Sequence, residues 1–279
     1  MIMQLTLTAV QAKWMIAKGV CRLPVVENAF ANGRIILKGG TTVSAVSEEL
    51  AGRPLMISGR VTPTGTMGSQ IKVDTPGQPH DLFIERGENV SQILDWPQVM
   101  TQMRPGDCLI TGANLFDVHG NAALMCGAQF GGKGIPHLHC AWSEGFDVII
   151  AVGLEKLIPG RVADAVRSAG RRRPHKSYGM AVGLIPLVGE IFTEVEAIKS
   201  LAEVDCQVIG RGGVQGAEGG TTVVVEGDED QISIIEKIFL EIYARPLSGT
   251  KESLMSCVPG CVSCKKHVGC VYKRGSKTA

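Results

Sequence analysis

Four cysteines near the end of the chain have a spacing that suits a metal centre. Cys257, Cys261, Cys264 and Cys270 follow one another as C-x3-C-x2-C-x5-C. Cysteine thiolates bind zinc and iron–sulfur clusters equally well, and the basic residues around them favour the thiolate form. We predict one metal centre here, a 4Fe-4S cluster or a zinc ion. The alternative is a tail that carries no metal.

A second pair of potential metal ligands lies in the segment His137-Leu138-His139-Cys140. His137 and Cys140 are three positions apart and would share one face of a helix, whereas His139 would point elsewhere. Two ligands alone make a weak metal site. The preferred interpretation is therefore a packed helix that carries two surface histidines.

Two glycines and two threonines stand between an apolar strand and the start of a helix. Gly39, Gly40, Thr41 and Thr42 follow the apolar run 35–37. Glycines allow a sharp turn and close approach of a ligand, and the first N–H groups of a helix favour negative charge. This turn predicts an anion site, and the alternative is an ordinary glycine-rich turn.

A polar turn follows the next buried strand, at 108–110. It begins at Gly112 and carries Asn114, Asp117 and His119. Asp117 is the candidate general base and His119 the candidate general acid, although an exposed histidine in a turn is equally expected by chance. Asn114 can hydrogen-bond a substrate oxygen, but an amide cannot act as a base near neutral pH.

Two positively charged segments are further candidates for contact with an anion. Lys133 lies in the glycine-rich loop 131–134, and the cluster RRRPHK occupies residues 171–176. We take Lys133 as a ligand-binding residue. For the cluster, a solvated charged loop is the preferred interpretation, and a second phosphate contact is the alternative.

The elements that must position these residues alternate between strands and helices. Strands are predicted at 35–37, 108–110 and 147–152, and helices at about 135–145 and 161–170. This alternation predicts an α/β fold with a Rossmann-like parallel sheet and helices on both faces. The Gly- and Thr-rich segment Pro63–Ser69 is predicted to be a loop at the same carboxyl edge as Gly39.

The pattern changes after residue 188, and three regions are predicted. Residues 1–188 form the α/β domain, and 189–247 form a small α+β domain of β-α-β-β-α order. Residues 248–279 form a linker and the Cys-rich tail.

Composition excludes several classes of function. The net charge of +1 over 279 residues gives no general attraction to nucleic acid or membranes. No apolar run reaches the roughly 20 residues of a membrane span, and the first residues lack a secretory pattern. We expect a cytoplasmic protein whose partner is an anionic small molecule, with no nucleic-acid or membrane partner. Self-association into a homo-oligomer is among the states that the sequence allows.

Together, Gly39–Thr42, Gly112–Asp117, Gly120-Asn121 and 131–134 resemble the superfamily of ribose-5-phosphate isomerases, glucosamine-6-phosphate isomerases, CoA transferases and translation-factor-2B-like sugar isomerases. The resemblance covers roughly residues 20–160. It implies a Rossmann-like sheet whose first Gly-rich loop holds phosphate or CoA. A related branch, the lactate-utilisation proteins, shares this fold and sometimes carries C-terminal cysteines for iron–sulfur centres, with a different spacing.

The resemblance leaves two functions to weigh. In the isomerases an Asp at the position of Asn114 contributes to proton transfer, and Asp117 stands where they often have a second acid. The nucleophilic Glu of the CoA transferases has no clear counterpart here. The first hypothesis is an isomerase- or transferase-like enzyme that binds a phosphorylated or CoA-type molecule. The second is a non-catalytic sensor or assembly subunit that reports redox state or metal through its tail.

Overall fold

The structure, a computed structural model, describes residues 1–68, 79–90, 95–132, 135–258, 260, 264 and 267–273. This part of the chain forms a mixed α/β protein with eight α-helices and several sheets. The helices are α1 (Ala9–Val20), α2 (Pro24–Asn32), α3 (Thr41–Ala51), α4 (Trp96–Gln102), α5 (Ile135–Glu144), α6 (Val162–Ser168), α7 (Glu194–Leu201) and α8 (Glu229–Ile242). None of the described helices is both long and apolar enough to cross a membrane.

Fourteen strands are present in the same residues. They are β1 (Ile2–Leu7), β2 (Arg34–Lys38), β3 (Gly59–Thr62), β4 (Gly65–Gly68), β5 (Asp81–Glu85), β6 (Glu88–Val90), β7 (Cys108–Thr111), β8 (Leu115–Phe116), β9 (Ala122–Cys126), β10 (Asp147–Ala151), β11 (Gly183–Leu187), β12 (Glu190–Phe192), β13 (Val204–Arg211) and β14 (Thr221–Gly227).

The main sheet has six strands in the order β12-β10-β7-β2-β5-β6. The first four are parallel, whereas β5 runs antiparallel to β2 and β6 antiparallel to β5. The sheet is therefore mixed. The carboxyl ends of β2, β7, β10 and β12 lie at one edge, and β5 begins at that edge because Lys38 pairs with Asp81.

Helices cover both faces of the main sheet because successive strand residues point to opposite sides. Ile35 and Leu37 of β2 pack in one core with helices α1, α2 and α3, while Ile36 packs in a second core with α4 and α5. The continuous apolar runs of β2, β7 and β10 fit this burial on both faces.

A smaller antiparallel sheet, β1-β14-β13, lies beside the first core. Its Leu5, Val223 and Val225 belong to the same buried cluster as β2 and α1. The β-α-β-β-α order expected for 189–247 is present, but its first strand, β12, pairs with β10 of the main sheet. The first strand of the chain, β1, completes the small sheet instead. The boundary expected at 188/189 thus falls before a strand of the main sheet.

One expectation for a loop is wrong. Within Pro63–Ser69, residues Gly65–Gly68 form strand β4, which pairs with β3 in a hairpin. Gly65 takes a positive φ of 101° and lies against the carbonyl of Tyr178, which a Cβ would approach to 2.1 Å. The glycines therefore serve a tight turn and a close backbone contact, and Ser69 itself lies outside the described residues.

Candidate functional site

The candidate site is the carboxyl edge of the main sheet. Register pairs Lys38 with Thr111 and Thr111 with Ile150, so the three parallel strands β2, β7 and β10 end at the same level. The segments that leave them begin at Gly39, Gly112 and Val152. Such an edge is where open parallel sheets bind ligands.

The turn Gly39–Thr42 leads from β2 into α3. Gly39 N donates to Asp81 Oδ1 at 2.9 Å, and a Cβ on Gly39 would lie 2.1 Å from the carbonyl oxygen of His80. The close approach that Gly39 permits is therefore made by the protein's own backbone. A Cβ on Gly40, by contrast, would meet no described atom within 4 Å.

Helix α3 begins without a side-chain cap from any described residue. Its N-cap is Gly40, and the first N–H groups of an α-helix have no acceptor within the helix. Thr41 is half-buried. Thr42 is buried, and its hydroxyl finds no hydrogen-bond partner among the described residues. This end of α3 therefore keeps donors that a ligand can use.

His137 lies close to this turn, in the first turn of α5. It is 0% exposed, and neither ring nitrogen has a hydrogen-bond partner within the described part of the chain. Its Nδ1 is 3.9 Å from Asp81 Oδ2, and its ring centroid is 4.2 Å from that of Trp96. Burial lowers the pKa of His137, with Asp81 opposing and Lys38 adding to the effect. The imidazole is therefore held neutral.

The polar turn after β7 is saturated with internal hydrogen bonds. Asp117 accepts from the backbone N–H groups of His119, Asn121 and Val162 at 3.0, 3.1 and 2.9 Å, and from the Asn121 amide. Burial raises the pKa of Asp117, but these hydrogen bonds outweigh it and hold the pKa at about 2. The carboxylate thus closes the turn and holds the first residue of α6.

The other residues predicted around Asp117 do not assemble with it. Asn114 Oδ1 accepts from Met125 N at 2.8 Å, and His119 is exposed at the tip of the turn. Gly112 lies at the strand end, where a Cβ would be 3.8 Å from the carbonyl of Ala151. Lys133 lies outside the described residues. The catalytic roles of Asn114, Asp117 and His119 stay predictions.

A charged cluster that was not predicted follows β10 at the same edge. Lys13 of α1 pairs with Glu155 Oε1 at 2.8 Å, and Lys156 Nζ donates to Ala113 O at 2.8 Å. Glu194 is fully buried and accepts from Leu154 N and from the Thr221 hydroxyl, both at 2.9 Å. Four ionisable side chains therefore meet where β7, β10 and β12 end.

Burial shifts the pKa values in this cluster. It lowers the pKa of Lys156 to about 8, with Glu155 opposing and Lys13 adding to the effect. It raises the pKa of Glu194. For Glu155 burial acts upward, but Lys13 and Lys156 outweigh it and lower the pKa. A signal for this cluster exists in the sequence, since Glu155-Lys156 directly follow the apolar strand β10, where a parallel sheet binds its ligands.

The C-terminal cysteines are only partly described, because Cys261 lies outside the described residues. Cys264 is buried, and Cys270 pairs with Ser177 in an isolated bridge that ties the tail to the body of the protein. Among the described residues, no three His, Cys, Asp or Glu side chains come together as metal ligands. Cys257, Cys264 and Cys270 therefore do not form a metal site by themselves, and the same holds for His137 and Cys140.

The basic cluster 171–176 lies on the surface. Arg171 Nε donates to Gly127 O at 2.8 Å, and Arg172 is exposed. Both line an open depression beside Phe130. Arg171 thus has a structural contact, and Arg172 fits the solvated interpretation.

Comparison of the chain with protein-family models, with curated proteins and with solved structures finds no significant match. The function is therefore argued from the geometry of the sheet edge.

Proposed function

We propose that this chain binds a phosphorylated or CoA-type anionic small molecule at the turn Gly39–Thr42. In this proposal the main sheet is Rossmann-like, and the protein is an isomerase- or transferase-like enzyme of the superfamily that the turn resembles. The observation that carries the proposal is the start of α3. No described side chain caps it, and the Thr42 hydroxyl is buried there with no partner in the described structure.

The physical argument concerns donors that the protein leaves unused. Helix N-termini attract anions because several N–H groups and the helix dipole point the same way. A buried hydroxyl without a partner costs free energy, on the order of 1–3 kcal/mol. An anion bound at Gly40 would accept from the N–H groups and from Thr42, and it would recover that cost.

Isothermal titration calorimetry with inorganic phosphate, ribose 5-phosphate and CoA tests the proposal. We expect Gly40→Val to weaken binding at least fivefold, because its side chain would fill space that is open in the structure. Thr42→Val keeps the side-chain shape and removes the hydroxyl, and we expect a similar loss. Ser47→Ala is the matched control, because Ser47 also has a buried hydroxyl without a described partner but lies further along α3. Affinities unchanged in both site variants would reject this binding site.

A second candidate is a non-catalytic sensor or assembly subunit whose tail binds an iron–sulfur cluster or zinc. The supporting observation is that Cys264 is buried while Ala181 N donates to Val268 O and Val271 N to Ser177 O. The tail segment is therefore docked on the body of the protein. Metal and sulfide analysis of protein purified without oxygen tests this candidate. Wild-type protein that carries no metal would reject it.

A further inference from the structure

Lys156 holds an unusual position among the lysines of the sheet edge. Its Nζ donates to the carbonyl oxygen of Ala113, the second residue after β7. Strand β7 lies next to β2, and neighbouring strands are about 4.8 Å apart. The ammonium group of Lys156 is therefore one to two strand spacings, roughly 5–10 Å, from the turn Gly39–Thr42.

Lys156 also differs from Lys13 in its partners. Lys13 is paired with the Glu155 carboxylate at 2.8 Å, whereas Lys156 makes no ion pair with any described residue, and its hydrogen bond goes to a neutral carbonyl. Burial without a paired carboxylate favours the neutral amine. The pKa of about 8 leaves an appreciable fraction of the amine unprotonated near neutral pH, and the residue remains partly exposed.

We propose that Lys156 is a nucleophile that forms an imine with the carbonyl carbon of a phosphorylated aldehyde or ketone. The inference rests on the proposed function, since the phosphate of that substrate would occupy the start of α3. The neutral amine adds to the carbonyl carbon and forms the C–N bond. Both amine hydrogens then leave with the carbonyl oxygen as water, so the step needs no oxidant or reductant. Lysines desolvated in this way serve as Schiff-base nucleophiles.

The inference narrows the substrate class. A phosphate at Gly40 and Thr42 and a carbonyl carbon at Lys156 would be separated by the distance between two neighbouring strand ends. This spacing suits a short phosphorylated carbonyl compound. Asp117 takes no part in this step.

Reductive trapping with pyridoxal 5′-phosphate, which carries both an aldehyde and a phosphate, tests the inference on the full chain. The protein is incubated with a low concentration of the probe and then with borohydride, which reduces an imine to a stable secondary amine. Peptide mapping by mass spectrometry then locates the label. We expect Lys156 to be the principal labelled residue, and Lys13 to be unlabelled because its amine is held by Glu155. Pyridoxal, which lacks the phosphate, should label Lys156 at least fivefold more slowly, and inorganic phosphate should protect it.

The outcomes separate the two proposals. Label on other lysines with none on Lys156 would overturn the inference, and phosphate-sensitive calorimetry at Gly40 would still stand. Equal labelling of Lys156 by both aldehydes, without protection by phosphate, would overturn the anion site and with it the phosphorylated substrate. Lys156→Met should abolish the principal label, and the wild-type peptide map gives the same answer if that variant does not fold.

Discussion

Two turns at the same sheet edge differ in how the protein uses their polar groups. The turn around Asp117 accepts hydrogen bonds from His119, Asn121 and Val162, and these use both carboxylate oxygens. The turn Gly39–Thr42 ends in a helix start that no described side chain caps. Its Thr42 hydroxyl is buried without a partner in the part of the chain that the structure describes.

The difference separates polar groups that serve the fold from polar groups that can serve a ligand. Nearly all buried polar atoms in folded proteins have a hydrogen-bond partner. A carboxylate that is fully engaged, as Asp117 is, has no acceptor left for a substrate proton. A buried hydroxyl or imidazole that the described protein leaves unpaired, as at Thr42 and His137, marks a place where a ligand would complete the structure.

The largest expected effect separates the two glycines of the anion turn. Gly39→Ala should destabilise the fold by about 3 kcal/mol, because a Cβ would lie 2.1 Å from the carbonyl oxygen of His80 and the backbone would have to move. Gly40→Ala is the matched control. Its φ of −178° suits any residue, and its stability should change by less than about 0.5 kcal/mol.

Urea-induced unfolding of the two variants measures this difference. Equal stability of Gly39→Ala and Gly40→Ala would show that the chain at His80 yields easily. In that case, the close contact at Gly39 would not be what fixes the turn.

Asp117→Ala should cost about 2 kcal/mol of unfolding free energy. Three backbone donors lose their acceptor, and the N–H of Val162 is buried with it, although donors at the exposed tip can bind water. Asp164→Ala is the control, because Asp164 is an exposed carboxylate that pairs with Arg167 on α6. If Asp117→Ala abolished phosphate binding without loss of stability, the assignment of the two turns would be reversed.

The pH dependence of Asp117 has a defined sign. Its pKa is about 2 in the folded protein, below the ordinary value of 3.8, so the unfolded chain binds more protons between these values. The stabilisation is present above the ordinary value and is lost as the pH falls through the folded pKa. Asp117→Ala should therefore flatten the acid limb of the stability curve below about pH 4.

Much of the fold follows from the sequence, because apolar runs and turn residues determine local structure. The runs 35–37, 108–110 and 147–152 are strands β2, β7 and β10, and the helices expected near 135–145 and 161–170 are α5 and α6. Strand β1 has no comparable apolar run, since Gln4 and Thr6 point outward, and only pairing with β14 makes it a strand. Long-range pairing of this kind has no local signal.

The candidate site divides in the same way. Gly39–Thr42 could be found because strand, glycine turn and helix start are consecutive in the sequence. The charged cluster could not, because Lys13, Glu155 and Glu194 are distant in the chain and meet only when β10, β12 and α1 pack together. Asp117 was predicted as a base because spacing shows a carboxylate but not the hydrogen bonds that occupy it.

His137 gives the smallest expected effect and tests the unpaired side of the comparison. His137→Leu should stabilise the ligand-free protein by about 1 kcal/mol at pH 7, because it removes a buried polar ring that no described group satisfies. Burial lowers the pKa of His137, so the unfolded chain binds more protons between the folded pKa and about 6.5. Wild-type stability should therefore fall as the pH drops below 6.5, and the advantage of the variant should grow. Asp81 and Lys38 face the ring, and His267, whose pKa is also lowered, is present in both proteins and cancels. Chemical unfolding at pH 7.5, 6.5 and 5.5 measures the difference, with exposed His119→Leu as the control. A loss of more than about 1 kcal/mol in His137→Leu would mean that the imidazole already has a partner in the folded protein, and His137 would then join Asp117 among the groups that serve the fold.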